Sequence, residues 1–385
     1  MNSTTRNMQI VVKVSKFCNL RCRYCYEYPE LGNRAAMSRV QLIAMYRGLR
    51  DHFRAADERD GARTALDFIW HGGEPLMQPA WFYRQTLADQ REIFGNHIAT
   101  SNSVQTNLTV LDDDRRQLLA DGFDSVGVSL DVIGGLRVNQ AGRDSQRRVA
   151  ANLDELVAAG VSVGCISVLT AQNIDAVAQV FRFFEERDLN FRVLPLFDTG
   201  EAGQTTPFEV TAEQEFAALV QLAELWLAGD TLQRPPAPLD NYVRIAARYL
   251  AGARGPDYRD RREWLPVVLV NTDGACFTYG EPYGDPTWSI GNIFTESFGE
   301  MLAGPVFERC AVEAERRVAR NCLSCPFFDA CGGSLVAETE ARERDDDGHG
   351  TLLCTGRPVI AHLAESLRGR VPATVAQWRH QHATA

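Results

Sequence analysis

Apolar residues recur along the first two thirds of the chain in two alternating rhythms. Short runs rich in Val, Ile, Leu and Phe, bounded by Gly, Asp, Asn or Pro, predict strands at Gln9–Ser15, Ala65–His71, Ile98–Asn107, Ser125–Leu130, Ser162–Leu169 and Asn190–Leu196. Between them the period lengthens to that of a helix. Ser38 is placed to N-cap a helix running to about Arg54. Val149, Leu153, Leu156 and Val157 share one face of a helix that ends near Gly160, and Ile174, Val177, Val180, Phe181 and Phe184 do the same in the next unit. Six βα repeats in a row predict a parallel sheet with crossover helices, hence an α/β fold built as a partial (β/α)6 TIM-like barrel. Thr211–Ala228 reads as a last helix, after which Arg234–Pro238 (RPPAP) breaks the periodicity. The expected organisation is a barrel over residues 1–230, a bridging segment over 231–262, a smaller C-terminal domain over 263–365 that opens with a hairpin (VVLVNTDGACFTYG), and a tail over 366–385. The acidic run Asp345–Asp347 reads as a solvated loop.

Composition narrows the function. The chain has 385 residues, 45% hydrophobic and 23% charged, with a formal charge of −10, which argues against a nucleic-acid backbone or an anionic membrane as partner. No run of about 18 apolar residues is present. The N-terminus lacks the apolar core of a signal peptide, so the expected address is the cytoplasm. Ten cysteines are too few for a disulfide scaffold, and a reducing compartment disfavours disulfides; they read as metal ligands or catalytic groups.

Cys18, Cys22 and Cys25 follow directly on the first strand, at the strand edge where βα loops carry chemistry. A structural zinc site wants four donors in a closed tetrahedron, and no fourth lies nearby in sequence. Two readings stay open on spacing: a zinc knob borrowing a distant ligand, or three thiolates on a four-iron cluster whose remaining iron is open to a chelating ligand. His71-Gly72-Gly73-Glu74-Pro75 closes the second strand. Its glycines let backbone come close to a ligand, and Pro75 restricts Glu74 to extended geometry.

The spacing C-x3-C-x2-C with Tyr24 before its last cysteine, followed by the GGEP segment, resembles the radical S-adenosylmethionine (SAM) superfamily. The resemblance implies a SAM-binding [4Fe-4S] cluster on Cys18, Cys22 and Cys25, with Gly72, Gly73 and Glu74 holding the SAM amino group. Ser129 and Asp131 look like the family's SAM-facing strand end, and Arg137 like the arginine that pairs with the SAM carboxylate. Gln105, Thr106 and Asn107 would face the same cavity, whereas Cys165 reads as a buried apolar residue. The implied chemistry is reductive cleavage of SAM to a 5′-deoxyadenosyl radical that takes a hydrogen from the substrate.

Cys322, Cys325, Cys331 and Cys354, with Thr272–Cys276, Ser289–Phe294 and Gly332-Gly333, resemble the SPASM domain of radical SAM peptide and protein maturases. Two of the seven cysteines of the full pattern are replaced, by Glu296 and Leu335. By ligand count this implies one auxiliary [4Fe-4S] cluster, on Cys322, Cys325, Cys331 and Cys354; Cys276 and Cys310 read as plain thiols, with a partial site shared with a carboxylate as the alternative. The resemblance favours a maturase that cross-links a ribosomally made precursor peptide through a C–C or thioether bond. The alternative is an anaerobic sulfatase-maturating, formylglycine-generating enzyme. In those enzymes an Asp serves as base where this chain has Ser297. A non-catalytic iron–sulfur or zinc scaffold is the reading from another class. Expected partners are the peptide, an electron donor such as flavodoxin or ferredoxin, and a separate leader-recognition protein where the barrel and C-terminal surfaces do not grip the peptide themselves, since the first strand begins near Gln9 with no recognition domain before it.

Overall fold

The computed structural model describes residues 5–196, 203–229, 234–255, 258–263, 265–339 and 354–368. Every expected strand is present: β1 (Thr5–Ser15), β2 (Arg63–Gly72), β3 (Ala99–Thr106), β4 (Ser125–Ser129), β5 (Val163–Leu169) and β6 (Asn190–Pro195). They pair in parallel and in chain order through the crossovers α1 (Arg39–Asp60), α2 (Ala80–Phe94), α3 (Asp113–Asp121), α4 (Gln146–Ala158) and α5 (Val177–Glu185), and α6 (Ala212–Ala228) follows β6. Ser38 and Thr211 start α1 and α6 with capping boxes, each side chain accepting from the backbone three residues on while Gln41 or Gln214 reaches back. α1 runs past Arg54 and stops at Gly61, whose φ of 64° closes the helix in the left-handed region.

The period of two along the strands separates two chemistries. Ile10, Val12, Val14, Leu66, Phe68, Trp70, Val104 and Val128 are buried with Leu42, Met45, Tyr46 and Leu49 of α1 in the main core. The alternate positions carry Lys13, Asp67, His71, Ser101, Gln105 and Ser129. Branched aliphatic side chains fill the inside of a closed barrel. Here the inner face carries these polar side chains on β1 to β4 and the apolar Ile166, Val168 and Leu194 on β5 and β6, so it offers a ligand both kinds of surface.

The sheet does not stop at β1. β7 (Val267–Val270) pairs in parallel with it, from Gln9↔Val267 to Val12↔Val270, and β8 (Ala275–Thr278) and β9 (Gly291–Asn292) follow antiparallel. Among the described residues the strands form one sheet of nine, ordered β6-β5-β4-β3-β2-β1-β7-β8-β9. The hairpin expected to open a separate C-terminal domain therefore continues the barrel sheet. At the other edge, the Ala237 N–H donates to Phe191 O at 3.0 Å and the Val193 N–H to Ala237 O at 2.9 Å, so the proline-rich run covers β6.

The bridging segment is not irregular throughout: it holds α7 (Leu239–Leu250), which buries Leu239, Tyr242, Ile245 and Ala246. Beyond the hairpin come α8 (Phe298–Leu302), α9 (Pro305–Asn321), α10 (Phe328–Cys331), α11 (Ser334–Ala337) and α12 (Gly356–Arg368). α12 packs on α7 and α6, so the last described helix returns to the barrel side. The run Asp345–Asp347 and the tail after Arg368 lie outside the described residues. No helix among them is long and apolar enough to cross a membrane.

Candidate active site

At the C-terminal ends of the parallel strands one cavity gathers Cys18, Cys22, Cys25, Tyr24, Gly72, Gly73, Ser129 and Arg137. Gln105, Thr106 and Asn107 line it too. The cysteine loop is pinned on both sides: the Cys18 N–H donates to Leu31 O at 3.1 Å, and the Arg21 and Arg23 N–H groups to Val138 O and Leu136 O at 2.6 and 3.0 Å. Burial pushes Cys18 and Cys25 up to about 12, reinforced at Cys18 by Glu74 and at Cys25 by Cys22; Cys22 is raised by burial as well. Such thiols become ligands only when a cation replaces their protons. Among the described residues no group of three or more His, Cys, Asp or Glu is placed to hold a single metal ion. The three thiols are electrostatic neighbours in one loop, so ionising all of them together calls for positive charge among them, which the irons of a cluster would supply.

Gly72 and Gly73 make a closer approach than sequence reasoning expected, and to the chain itself. A Cβ on Gly72 would lie 2.1 Å from Ser15 O, and one on Gly73 2.3 Å from Lys16 O. The Gly73 and Glu74 N–H groups donate to Ser15 O and Phe17 O at 2.8 and 2.9 Å, which clamps the segment to the start of the cysteine loop. Glu74 is extended as expected, with φ −135° and ψ 106°. Its side chain, expected among the cofactor-binding residues, does not line the cavity. It is 1% exposed and accepts from the Leu76 N–H at 2.8 Å, the Thr106 hydroxyl at 2.7 Å and the Asn107 N–H at 2.7 Å. Burial raises its carboxyl despite those bonds.

Arg137 Nη1 donates to the Tyr24 hydroxyl at 2.7 Å, and that hydroxyl donates to Asp131, which also takes the Val168 N–H at 2.9 Å. Burial works against the Arg137 charge, but Tyr24, Cys22 and Asp131 raise its pKa well above the ordinary value on balance. Its Nε is buried without a partner. A fixed cation with an unused N–H in a thiol-lined cavity fits a ligand that carries a carboxylate. Ser129 Oγ accepts from Gln105 Nε2 at 2.9 Å, and Cys165 is a buried strand residue, 2% exposed.

The second cysteine group also comes together. Cys322 follows α9, Cys331 ends α10, and Cys354 precedes α12. Burial and then the proximity of Cys354, Cys331 and Cys325 push Cys322 up to about 12. Gly332 and Gly333, both left-handed at φ 70° and 78°, turn the chain immediately after Cys331. Arg261 and Arg317 fasten the end of α11 behind it, donating to Ala337 O at 2.8 and 3.0 Å and pairing with Glu338 and Glu281.

Cys276 and Cys310 join neither group. Both are fully buried. Burial pushes Cys276 up to about 12, its Sγ donates to Gly274 O at 3.5 Å, and the charges beside it are Glu296 and Asp273. Glu296 is spent accepting the Asn292 N–H at 2.8 Å. Changing Cys276 to serine is expected to leave the iron content of reconstituted protein unchanged, at about eight per chain for two four-iron clusters; a drop by iron analysis would reveal ligation. Ser297 is the N-cap of α8, with its hydroxyl on Glu300 at 2.6 Å.

Local pattern reading passed over a polar group on the β1 side of the same cavity. Lys13 is 2% exposed. Its Nζ donates to Tyr26 Oη at 2.6 Å and Glu27 Oε1 at 2.7 Å, and lies 4.7 and 4.8 Å from the ring centroids of Tyr26 and Tyr283. Burial alone would lower its pKa, but Glu27, Tyr26 and Tyr283 raise it on balance. A lone lysine within an otherwise apolar strand was the available signal, since a buried charge demands a partner.

Residues 12–184 match the model of the radical SAM superfamily, and they contain the cysteine loop, the GGEP segment and Arg137. Over those residues the chain carries a radical SAM domain, and it is an enzyme; domains of this kind work with a [4Fe-4S] cluster and SAM. Sulfatase-maturating enzymes are among its relatives. The serine-type anaerobic sulfatase-maturating enzyme of Bacteroides thetaiotaomicron is 24% identical over 91% of this chain and 87% of its own. The cysteine-type enzyme of Clostridium perfringens is 23% identical over 88% and 90%. In fold the chain is similar to anSMEcpe solved with AdoMet and a Cp18Cys peptide, at 18% identity and a TM-score of 0.72, covering 96% and 99% of the two chains. It is also similar to SuiB of Streptococcus suis bound to S-adenosylmethionine, at 15% identity and 0.57, covering 89% and 77%.

Proposed function

We propose that this enzyme modifies a side chain of a ribosomally made precursor peptide and closes an intramolecular C–C or thioether cross-link. Cys18, Cys22 and Cys25 would ligate three irons of the SAM-binding cluster. Arg137, oriented by Tyr24 and Asp131, would fork onto the SAM carboxylate beside Gly72, Gly73 and Ser129. Cys322, Cys325, Cys331 and Cys354 would hold one auxiliary [4Fe-4S] cluster. When bound, these groups supply hydrogen-atom abstraction from an unactivated carbon. The protein's part is to orient and to keep water out, for which Leu20, Ile166, Val168 and Leu194 form an apolar wall of the cavity. An electron donor of the flavodoxin or ferredoxin type and a leader-recognition protein complete the reading.

One observation favours cross-linking over oxidation to formylglycine. Where the sulfatase maturases are expected to carry a base, Ser297 is committed to starting a helix. Ser297→Ala is expected to cost about 1 kcal/mol as a lost cap and to leave SAM cleavage unchanged, read by thermal melting and 5′-deoxyadenosine yield. The formylglycine reading draws support from sulfatase-maturating relatives that align along most of both chains. Anaerobic incubation of the reconstituted enzyme with SAM, a reductant and either a precursor peptide encoded beside it or a sulfatase peptide separates the two. A product that has lost two hydrogens and ignores hydrazide reagents supports cross-linking, and a hydrazide-reactive aldehyde supports formylglycine. Absence of 5′-deoxyadenosine under all conditions would overturn both.

A further inference from the structure

Cys18 Sγ accepts two hydrogen bonds. One comes from its own loop, the Leu20 N–H at 3.4 Å. The other comes from the end of β3, where Asn107 Nδ2 donates to it at 3.7 Å across a separation of 89 residues in sequence. The first follows from the turn of the loop, whereas the second depends on which side chain stands at position 107.

The direction of the Asn107 amide is fixed by its other partners. Its Oδ1 accepts from the Thr109 N–H at 3.0 Å and from the Thr109 hydroxyl at 2.6 Å. A backbone N–H can only donate, so the amide oxygen lies on that side and the NH2 group on the other. Nδ2 gives one hydrogen to Asn19 Oδ1 at 3.0 Å and has the second for Cys18. Asn19 Nδ2 donates in turn to Thr109 Oγ1 at 2.8 Å, which leaves the Thr109 hydrogen for Asn107. Three side chains thus close a ring in which each donor meets an acceptor, and one N–H is left over for the sulfur. The backbone beneath is held as tightly. The Asn107 N–H donates to Glu74 at 2.7 Å, and Leu108, fully buried, takes a φ of 50°. A branched residue in that left-handed region is a strained turn, kept only where its surroundings over-determine it. Cys18, Asn107 and Thr109 are 6%, 6% and 5% exposed, so water screens this N–H little.

We propose that Asn107 is a positioning residue that acts through Cys18, its N–H on the ligating sulfur raising the reduction potential of the SAM-binding cluster. This rests on Cys18 as a ligand of that cluster and goes beyond it, to how readily the cluster accepts an electron. The reason is electrostatic. The reduced cluster carries one more negative charge than the oxidised one, and the ligating sulfurs share it. An N–H directed at a sulfur therefore stabilises the reduced form more, and its removal should lower the potential.

The test is a redox titration of the reconstituted holoenzyme, with the reduced clusters followed by EPR. The SAM-binding cluster is told from the auxiliary one by the change in its signal when SAM is added. Asn107→Ala should shift its potential to a more negative value and leave the auxiliary cluster where it was. Asn107→Asp, which has the same shape and still accepts from Thr109, should shift it further, because it loses the N–H and brings a negative charge; it also serves where the alanine variant does not fold. Thr109→Val opens the ring but retains the backbone N–H that orients the amide, so its potential should stay at the wild-type value. Iron content near that of wild type establishes that a variant holds its clusters. An unshifted potential in either Asn107 variant that holds its iron, an equal shift in Thr109→Val, or a shift shared by the auxiliary cluster would overturn the proposal. Failure of the ligand assignment is seen separately, since Cys18→Ala would then retain full iron and the signal that responds to SAM.

Discussion

Exchanging Cys22 for alanine is expected to lower the iron of anaerobically reconstituted enzyme from about eight to about four per chain and to abolish 5′-deoxyadenosine formation. The matching change at Cys325 should remove a similar amount of iron while SAM cleavage without peptide persists. The asymmetry follows from where the thiols sit. Cys22 lies in the loop directly after β1, beside Arg137 and the GGEP segment. Cys325 lies between α9 and α10, with Cys322, Cys331 and Cys354 as its neighbours. Because burial keeps the apo thiols protonated, a loop that has lost one ligand has less with which to offset the cost of ionising the others. Iron analysis with chromatography of the SAM products reads both effects. Iron near twelve in the unaltered enzyme would mean a third cluster and would overturn the count.

The second large effect is structural and falls on a residue that motif reading assigned to the cofactor. Glu74→Leu is expected to destabilise the protein by about 3–9 kcal/mol, since three buried donors lose their acceptor and each costs roughly 1–3 kcal/mol. That is a large fraction of the stability of an ordinary domain. Glu74→Gln, of the same shape, keeps one oxygen acceptor but turns an amide N–H on one of the three donors, and should lose about 1–3 kcal/mol. The damage should spread to the iron site. Asn107, held by Glu74, donates to Asn19 Oδ1 at 3.0 Å and approaches Cys18 Sγ at 3.7 Å, and Asn19 donates to Thr109 Oγ1 at 2.8 Å. Thermal melting should rank wild type above Gln above Leu, with iron retention in the same order. A Leu variant that melts like wild type and retains its iron would show that Glu74 is not the hub of these three loops.

What could be read in advance was whatever repeats locally. Each barrel strand was found to within a few residues at either end because apolar clustering and turn residues bound it, and Ser38 and Thr211 announced their helices through the side-chain bonds they make. The cysteine groups were legible because ligand spacing is itself a local quantity. The pairing of β7 with β1 was not, since nothing in either run specifies a partner more than 250 residues away. α7 was hidden by the prolines before it. The structural bonds of Glu74 were not legible for the opposite reason: a motif says that a residue matters, and the three donors around it belong to other loops. Glu27 sits two residues after the last cysteine of the motif, and its partner is a lysine buried on β1, which no local pattern shows.

The place of β1 inside the sheet has a consequence for how the chain is made. Its neighbour on one side, β2, emerges from the ribosome soon after it, but its neighbour on the other side, β7, ends at Val270. At ordinary elongation rates of about 5–20 residues per second, the β7-facing edge of β1 waits for roughly tens of seconds. During that time the N–H and C=O groups on that side belong to an open strand edge, the kind of surface that recruits other chains. Lys13, in the finished protein the anchor of Glu27, is during synthesis a charge that discourages mispairing on that strand. Low yields on rapid overexpression, relieved by slower translation, would be the practical sign of this interval.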